Sequence, residues 1–227
     1  MCKPAAARAV AYAAANRLYS WEGMMTAHVF ETVVRDRFGG LLRSGSHRPD
    51  GLACVLEAVA AARGLPWTDS PVEVGLPDLR PLNDARWSSD AVRTAALVPV
   101  VVALWKYSGW TKHQRTTWIC RVVERTIREV LPVMLRYVGC EDAAIRCERE
   151  GTATAAYAAY TAADAAARSA AYAAYAAATY AAGATGAAAA AASAASAAAY
   201  AAAAAADRIL QLTCRIWQEE ALSCLAS

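Results

Sequence analysis

The chain has seven cysteines, but the number is odd and no two stand in a Cys-x-x-Cys pair. This rules out a framework in which every cysteine is bridged, and it removes the spacing of a zinc knuckle. Free, packed thiols in a reducing compartment are the expectation. There is no His-Glu-x-x-His, and no His-x-Glu followed by Pro-Cys-x-x-Cys, so two strong metal signatures are missing. Charge of one sign is also scarce. Lys and Arg number 23 against 20 Asp and Glu, and the net charge of +3 does not by itself imply nucleic acid. A leucine-rich run is missing at the N-terminus, where Arg8 and Arg17 interrupt the small residues. Ala187 to Ala206 is long enough to span a bilayer, but it holds methyl groups, two serines and Tyr200, with no leucine-rich centre or aromatic belt. These absences lead us to expect a soluble cytoplasmic protein with no cofactor and no bound metal.

What is abundant is alanine. From Thr152 to Ala206 almost every position is Ala, with Tyr, Ser, Thr and Gly as the main exceptions. The exceptions keep a register. Tyr157, Thr161, Asp164, Arg168, Tyr172, Tyr175, Thr179, Gly183 and Gly186 follow at steps of three or four, and Ser193, Tyr200 and Asp207 at steps of seven. That is a helical stripe. Alanine has the highest helix propensity because it loses no side-chain entropy. A methyl face buries little surface unless backbones approach closely, so the tyrosines must supply the larger contacts. One rod from Thr152 to Leu225 would be roughly 110 Å long at ~1.5 Å per residue. Gly183 to Gly186 is the only break signal, which predicts two helices over residues 152–182 and 187–225.

Before the tract, the pattern predicts helices over 4–18, 21–38, 51–63, 91–107, 112–137 and 141–150. Pro66, Pro71, Pro77 and Pro81 predict an ordered, largely extended crossing over 65–84. The run from Ala95 to Trp105 reads equally as a strand or a buried helix. The cap Ser88-Ser89-Asp90 favours a helix kinked near Pro99. Pro132 predicts a kink in the next helix. The fold class is therefore all-α: residues 1–150 as a compact helical domain, and residues 151–227 as an alanine- and tyrosine-rich arm whose last helix docks on the core.

Three clusters carry possible chemistry. His47, Asp50, Cys54, Glu57 and Asp69 combine an imidazole, a thiol and carboxylates, which suits a nucleophilic or a metal site. The plainer reading has Asp50 as a helix cap and Glu57 paired to an arginine such as Arg63. Asp84, Arg86, Trp87, Asp90 and Arg93 surround a helix start, where carboxylates suit the dipole. Lys106, Trp110, Lys112, Arg115, Arg121, Arg125 and Arg128 interleave basic and aromatic side chains, which can hold phosphates and stack bases. Against that, Trp118 falls on an apolar stripe and Glu124 and Glu129 neutralise much of the face.

The segment from His47 to Arg93 carries Cys54-x-x-Glu57, then Gly64-x-Pro66-x-x-Asp69-x-Pro71, then Asn83-Asp84. It is similar to a group of uncharacterised helical proteins of actinobacteria and their phages, several with alanine- and tyrosine-rich tails. The resemblance implies a mostly helical fold and no activity. By composition the tail also resembles some bacterial immunity-type proteins, which would imply a toxin partner. The leading expectation is a non-enzymatic interaction module that uses Tyr157, Tyr160, Tyr172, Tyr175, Tyr180 and Tyr200 to bind a protein partner or a second copy, rather than nucleic acid or a membrane. An enzyme or metal protein built on the His47 cluster is the alternative, and nucleic-acid binding through 106–128 the second.

Overall fold

The computed structural model describes residues 21–49, 51–163, 172, 175 and 206–226, and the side chains from residue 28 onward. Among these the regular structure is helical, without strands. The helices are α1 (Trp21–Arg37), α2 (Val55–Ala62), α3 (Pro71–Val74), α4 (Arg80–Asn83), α5 (Asp90–Leu104), α6 (Lys112–Arg125), α7 (Leu131–Tyr137), α8 (Glu141–Glu150), α9 (Ala153–Ala162) and α10 (Ala206–Leu225). The predicted helix over 4–18 and the Gly183–Gly186 break lie outside the described residues.

The core forms where α10 lies against α5 and α6. Ile209, Leu210, Ile216 and Trp217 of α10 are buried, facing Leu97, Val100, Val101 and Leu104 of α5 and Trp118, Ile119 and Val122 of α6. Trp118 and Trp217 are fully buried, and their rings meet edge to face at 5.2 Å, the arrangement favoured by opposed ring quadrupoles. Asp90 to Gly109 is long and apolar enough to cross a membrane by length and composition. In this fold its buried side chains pack on α1 and α10. Ser89, not Asp90, is the N-cap of α5, accepting from the Val92 amide at 3.2 Å.

Local expectations fail where a backbone rule met a tertiary partner. The 65–84 crossing is not largely extended but holds α3 and α4. Each begins at a proline or just before one, where the missing N–H costs no helical hydrogen bond. Pro132 does more than bend a helix. Residues Thr126–Val130 form a wide π-turn between α6 and α7. Pro132 cannot donate to the carbonyl four residues back and would collide with it, and the wider turn takes up the mismatch. The helix expected to run to residue 182 stops at Ala162, because Ala163 is extended (φ −84°, ψ 161°). Alanine composition favours a helix but cannot prevent a tertiary fold from ending it.

Arg128 and Gly151 close the join between α8 and α9. The guanidinium of Arg128 donates to three successive carbonyls at the end of α8, Glu148, Arg149 and Glu150, at 2.7–2.9 Å. Gly151 follows at φ +63°, and a Cβ there would lie 2.3 Å from Arg128 Nε. Both the left-handed backbone and the arginine therefore require glycine.

Candidate functional site

Glu57 is the hub of the first cluster. It sits in the first turn of α2 and is 1 % exposed. Its Oε1 accepts the His47 amide at 2.6 Å, and its Oε2 accepts the Cys54 amide at 2.7 Å and His47 Nδ1 at 3.1 Å. A carboxylate only accepts, so Nδ1 carries the proton. Cys54 is the N-cap of α2, its sulfur accepting the Glu57 amide at 3.5 Å. Cys54 and Glu57 thus form a capping box with a thiol where serine or threonine usually stands. Two details of the plainer sequence reading are corrected here. Helix α2 begins at Val55 with Cys54 as its cap, not Asp50, which itself lies outside the described residues. Glu57 meets His47 and backbone amides instead of Arg63, because the amides of the loop lie closer and would otherwise be buried without acceptors.

This geometry limits the chemistry. Burial pushes the Cys54 thiol up to about 12, so a thiolate does not form at neutral pH and the sulfur is a poor nucleophile. Nδ1 is held by Glu57, so the ring is fixed in place by the carboxylate. Asp69 accepts a short hydrogen bond from Ser46 Oγ, at the edge of the same loop. Among the described residues no three His, Cys, Asp or Glu side chains gather as a metal-holding group. His47, Cys54 and Glu57 come together, but what they hold is a loop.

The second cluster completes that hold. Asn83 takes the Val55 amide on Oδ1 at 3.1 Å and donates from Nδ2 to the Arg43 carbonyl at 2.8 Å. Asp84 Oδ1 accepts the Gly45 amide at 2.7 Å. Thr94 Oγ1 accepts the Leu42 amide at 2.8 Å. Buried Arg93 donates from Nε to the Asn83 carbonyl at 2.8 Å and pairs with Asp90, which also meets Arg43. Trp67 Nε1 donates to the His47 carbonyl at 2.7 Å. Trp87 is buried and donates to the Leu82 carbonyl at 2.8 Å, while Arg86 is exposed. Side chains from the surrounding elements thus pair with the amides of Leu42, Gly45, His47, Cys54 and Val55 and with the carbonyls of Leu42, Arg43 and His47, which the loop leaves without partners of its own. Sequence reading missed Asn83 and Thr94 in this role. The Asn83-Asp84 pair was the available signal.

In the basic and aromatic segment the aromatics turn inward. Trp110 is 5 % exposed and packs on Tyr107 and Trp118 at 5.3 and 6.1 Å. Arg121 meets Ser223 and Glu220; Arg125 meets Glu129, Glu219 and Glu220; Arg128 meets Glu124 and the α8 carbonyls. Lys106 and Lys112 are exposed, and Arg115 is half-buried. Rings needed for stacking on bases are therefore used in the core, and most of the arginines are used for helix-to-helix pairing.

The alanine arm brings tyrosines together. The Tyr157 and Tyr160 rings of α9 lie 6.1 Å apart. Tyr175 reaches Tyr157 at 5.2 Å, and Tyr172 reaches Tyr160 at 5.4 Å. On one straight helix Tyr160 and Tyr172 would be separated by ~18 Å along the axis, so Tyr172 does not lie on a straight continuation of α9. Tyr157 is 49 % and Tyr172 55 % exposed. On its other side α9 buries Ala155, Ala156 and Ala159 and packs on α8, where Cys147 Sγ lies 3.7 Å from the Ala155 carbonyl. Tyr180 and Tyr200 lie outside the described residues. No family model, no curated protein and no solved structure matches this chain.

Proposed function

We propose that the protein is a non-enzymatic helical interaction module whose contact face is the tyrosine cluster of the alanine arm, engaging a protein partner, a second copy included. The observation that carries this reading is the ring quartet Tyr157, Tyr160, Tyr172 and Tyr175, with two rings about half exposed. Tyrosine gives a large, rigid contact with a polar end at low entropy cost, which is why it is enriched at interfaces. The surrounding alanines let a partner helix approach closely. The His47–Glu57 cluster supports this division of labour, since its groups are occupied in holding a loop.

The test is mass in solution by light scattering coupled to gel filtration, for the reduced full chain and for a Tyr157→Glu/Tyr172→Glu variant. The reading expects an assembled wild type and a variant that falls to the monomer with unchanged helicity. Assembly that survives both substitutions would remove the tyrosine face from the interface. A wild type that stays monomeric at every concentration would remove the second copy as the partner.

A further inference from the structure

Arg63 and Arg115 are held differently from Arg93 and Arg125. Arg93 meets Asp90, and Arg125 meets Glu129 and Glu219. Arg63 instead donates to the carbonyls of Val74 (2.6 Å) and Trp105, and lies 4.5 Å over the Trp105 ring. Arg115 donates to the Ser108 carbonyl at 2.7 Å and lies 5.4 Å from the Tyr107 ring centroid. Neither forms an ion pair with a described carboxylate. The Nε of each is buried without an acceptor.

Arg115 reaches the turn Tyr107–Gly109 between α5 and α6 at Ser108, and Arg63 reaches Trp105 just before it. Gly75 closes the other side. At φ +67° it presents bare backbone, and a Cβ there would come 3.0 Å from Ser108 Cβ and 3.2 Å from Arg63 Nη1. Ser108 is exposed at this junction, and its hydroxyl can donate.

A plainer reading makes Arg63 a cap for the C-terminal ends of α3 and α5. That contact exists, but the charges do not balance. A helix C-terminus supplies about half a negative charge against a full positive one. On the other side the N-terminus of α6 adds about half a positive charge. That first turn has no acidic residue and begins with Lys112 and His113, against the usual preference. Each guanidinium has five N–H donors. Arg63 uses two for hydrogen bonds and Arg115 uses one. Burial lowers the pKa of Arg63, with no neighbouring charge opposing it. A local violation of charge preference at a half-buried site is where a ligand belongs.

We propose that Arg63, Ser108 and Arg115 bind a phosphate-type oxyanion, either free or carried as a phosphomonoester. Two guanidinium groups match a dianion better than a carboxylate, and their planar forks suit phosphate oxygens. A nucleic-acid strand fits less well, because Trp110 and Trp118, the nearest rings in sequence, are buried. The site is independent of the tyrosine face and of the interaction reading.

Calorimetric titration of the reduced full chain at low ionic strength tests it, with inorganic phosphate, phosphoserine, acetate and a short single-stranded oligonucleotide as probes. We expect saturable one-to-one binding of phosphate or phosphoserine, weakened about tenfold in Arg115→Gln and measurably in Ser108→Ala, with helicity unchanged. Tighter phosphoserine assigns the monoester, and tighter phosphate the free ion. Because Arg63 also holds two carbonyls, Arg115→Gln and Ser108→Ala carry the test. The proposal is overturned if neither phosphate probe saturates, if both variants bind like wild type, if acetate binds as tightly, or if the oligonucleotide binds more tightly than either.

Discussion

The loop from Leu42 to Val55 and the helix α9 are both short of apolar bulk, and they are fixed by opposite means. The loop has few large buried side chains of its own. Several of its amides and carbonyls are taken up by Glu57, Asn83, Asp84, Arg93, Thr94 and Trp67 from the surrounding elements. Helix α9 pairs most of its backbone within itself, taking from outside only the Cys147 and Cys140 thiols on its Ala155 and Ala162 carbonyls, and a methyl face lets it lie close on α8. It then leaves its rings at the surface. A side-chain-clamped loop is costly to disturb, because each lost acceptor leaves a buried donor unpaired. A ring at an exposed face costs the monomer little, and its loss is felt by whatever binds there.

Both regions can be measured against the aromatic core, where the largest effect is expected. Trp217→Ala should cost about 3–5 kcal/mol, read by denaturant unfolding. A loss below about 1 kcal/mol would mean that α10 is not part of the cooperative core. Glu57→Ala comes next, at about 3 kcal/mol, because it orphans the amides of His47 and Cys54. Glu57→Gln, which keeps one carbonyl acceptor, should cost clearly less. Equal losses would show that the charge, not the acceptor, holds the loop. Gly151→Ala should cost about 2 kcal/mol, from a non-glycine residue at positive φ and displacement of Arg128. At the far end, Tyr172→Ala should change stability by less than about 1 kcal/mol. A larger loss would place the tyrosine cluster with the clamped loop as a structural element and remove the contrast.

Titration sharpens the comparison from another side. Burial raises the thiols of Cys54, Cys147 and Cys214 from 9.0 to about 12. A group with a raised folded pKa stabilises fully below its unfolded value and loses that contribution as pH rises through the folded value. Stability should therefore fall between about pH 9 and 12, and less so in Cys214→Ala measured against its own neutral-pH value. At pH 8 an alkylating reagent should modify exposed Cys120 first, with Cys54, Cys147 and Cys214 reacting only on unfolding. Fast modification of Cys54 in the folded chain would reopen the nucleophile reading. In the opposite direction Asp78, desolvated but held by Arg80, has its pKa lowered. It contributes stability above the ordinary carboxylate value that is lost as pH falls through its folded value.

The candidate site was only partly legible. Cys54-x-x-Glu57 has the spacing of a capping box, and reading the thiol as a serine stand-in would have identified its role. His47 was seen to belong with Glu57, because a short loop precedes the helix that carries the carboxylate. Asn83 and Thr94 were not seen, since a polar side chain that reaches a backbone amide many residues away leaves no periodic trace. Arg63 was read as a partner for Glu57, since charge pairing is the default for two residues near each other in sequence. In the fold Arg63 holds carbonyls at the ends of α3 and α5 instead.

The amino-acid sequence by itself determined the helical class, the order of most helices, the Ser88-Ser89-Asp90 start of α5 and the apolar stripe of α6 and α10. These follow from periodicity and side-chain chemistry acting over a turn or two. Only the tertiary structure decided that α9 ends at Ala162, that Tyr172 and Tyr175 lie against Tyr160 and Tyr157, that the 65–84 crossing coils into two short helices, and which carboxylate meets which donor. In an alanine tract, neighbouring registers differ by little free energy, so the choice passes to long-range contacts between rings and to buried hydrogen bonds.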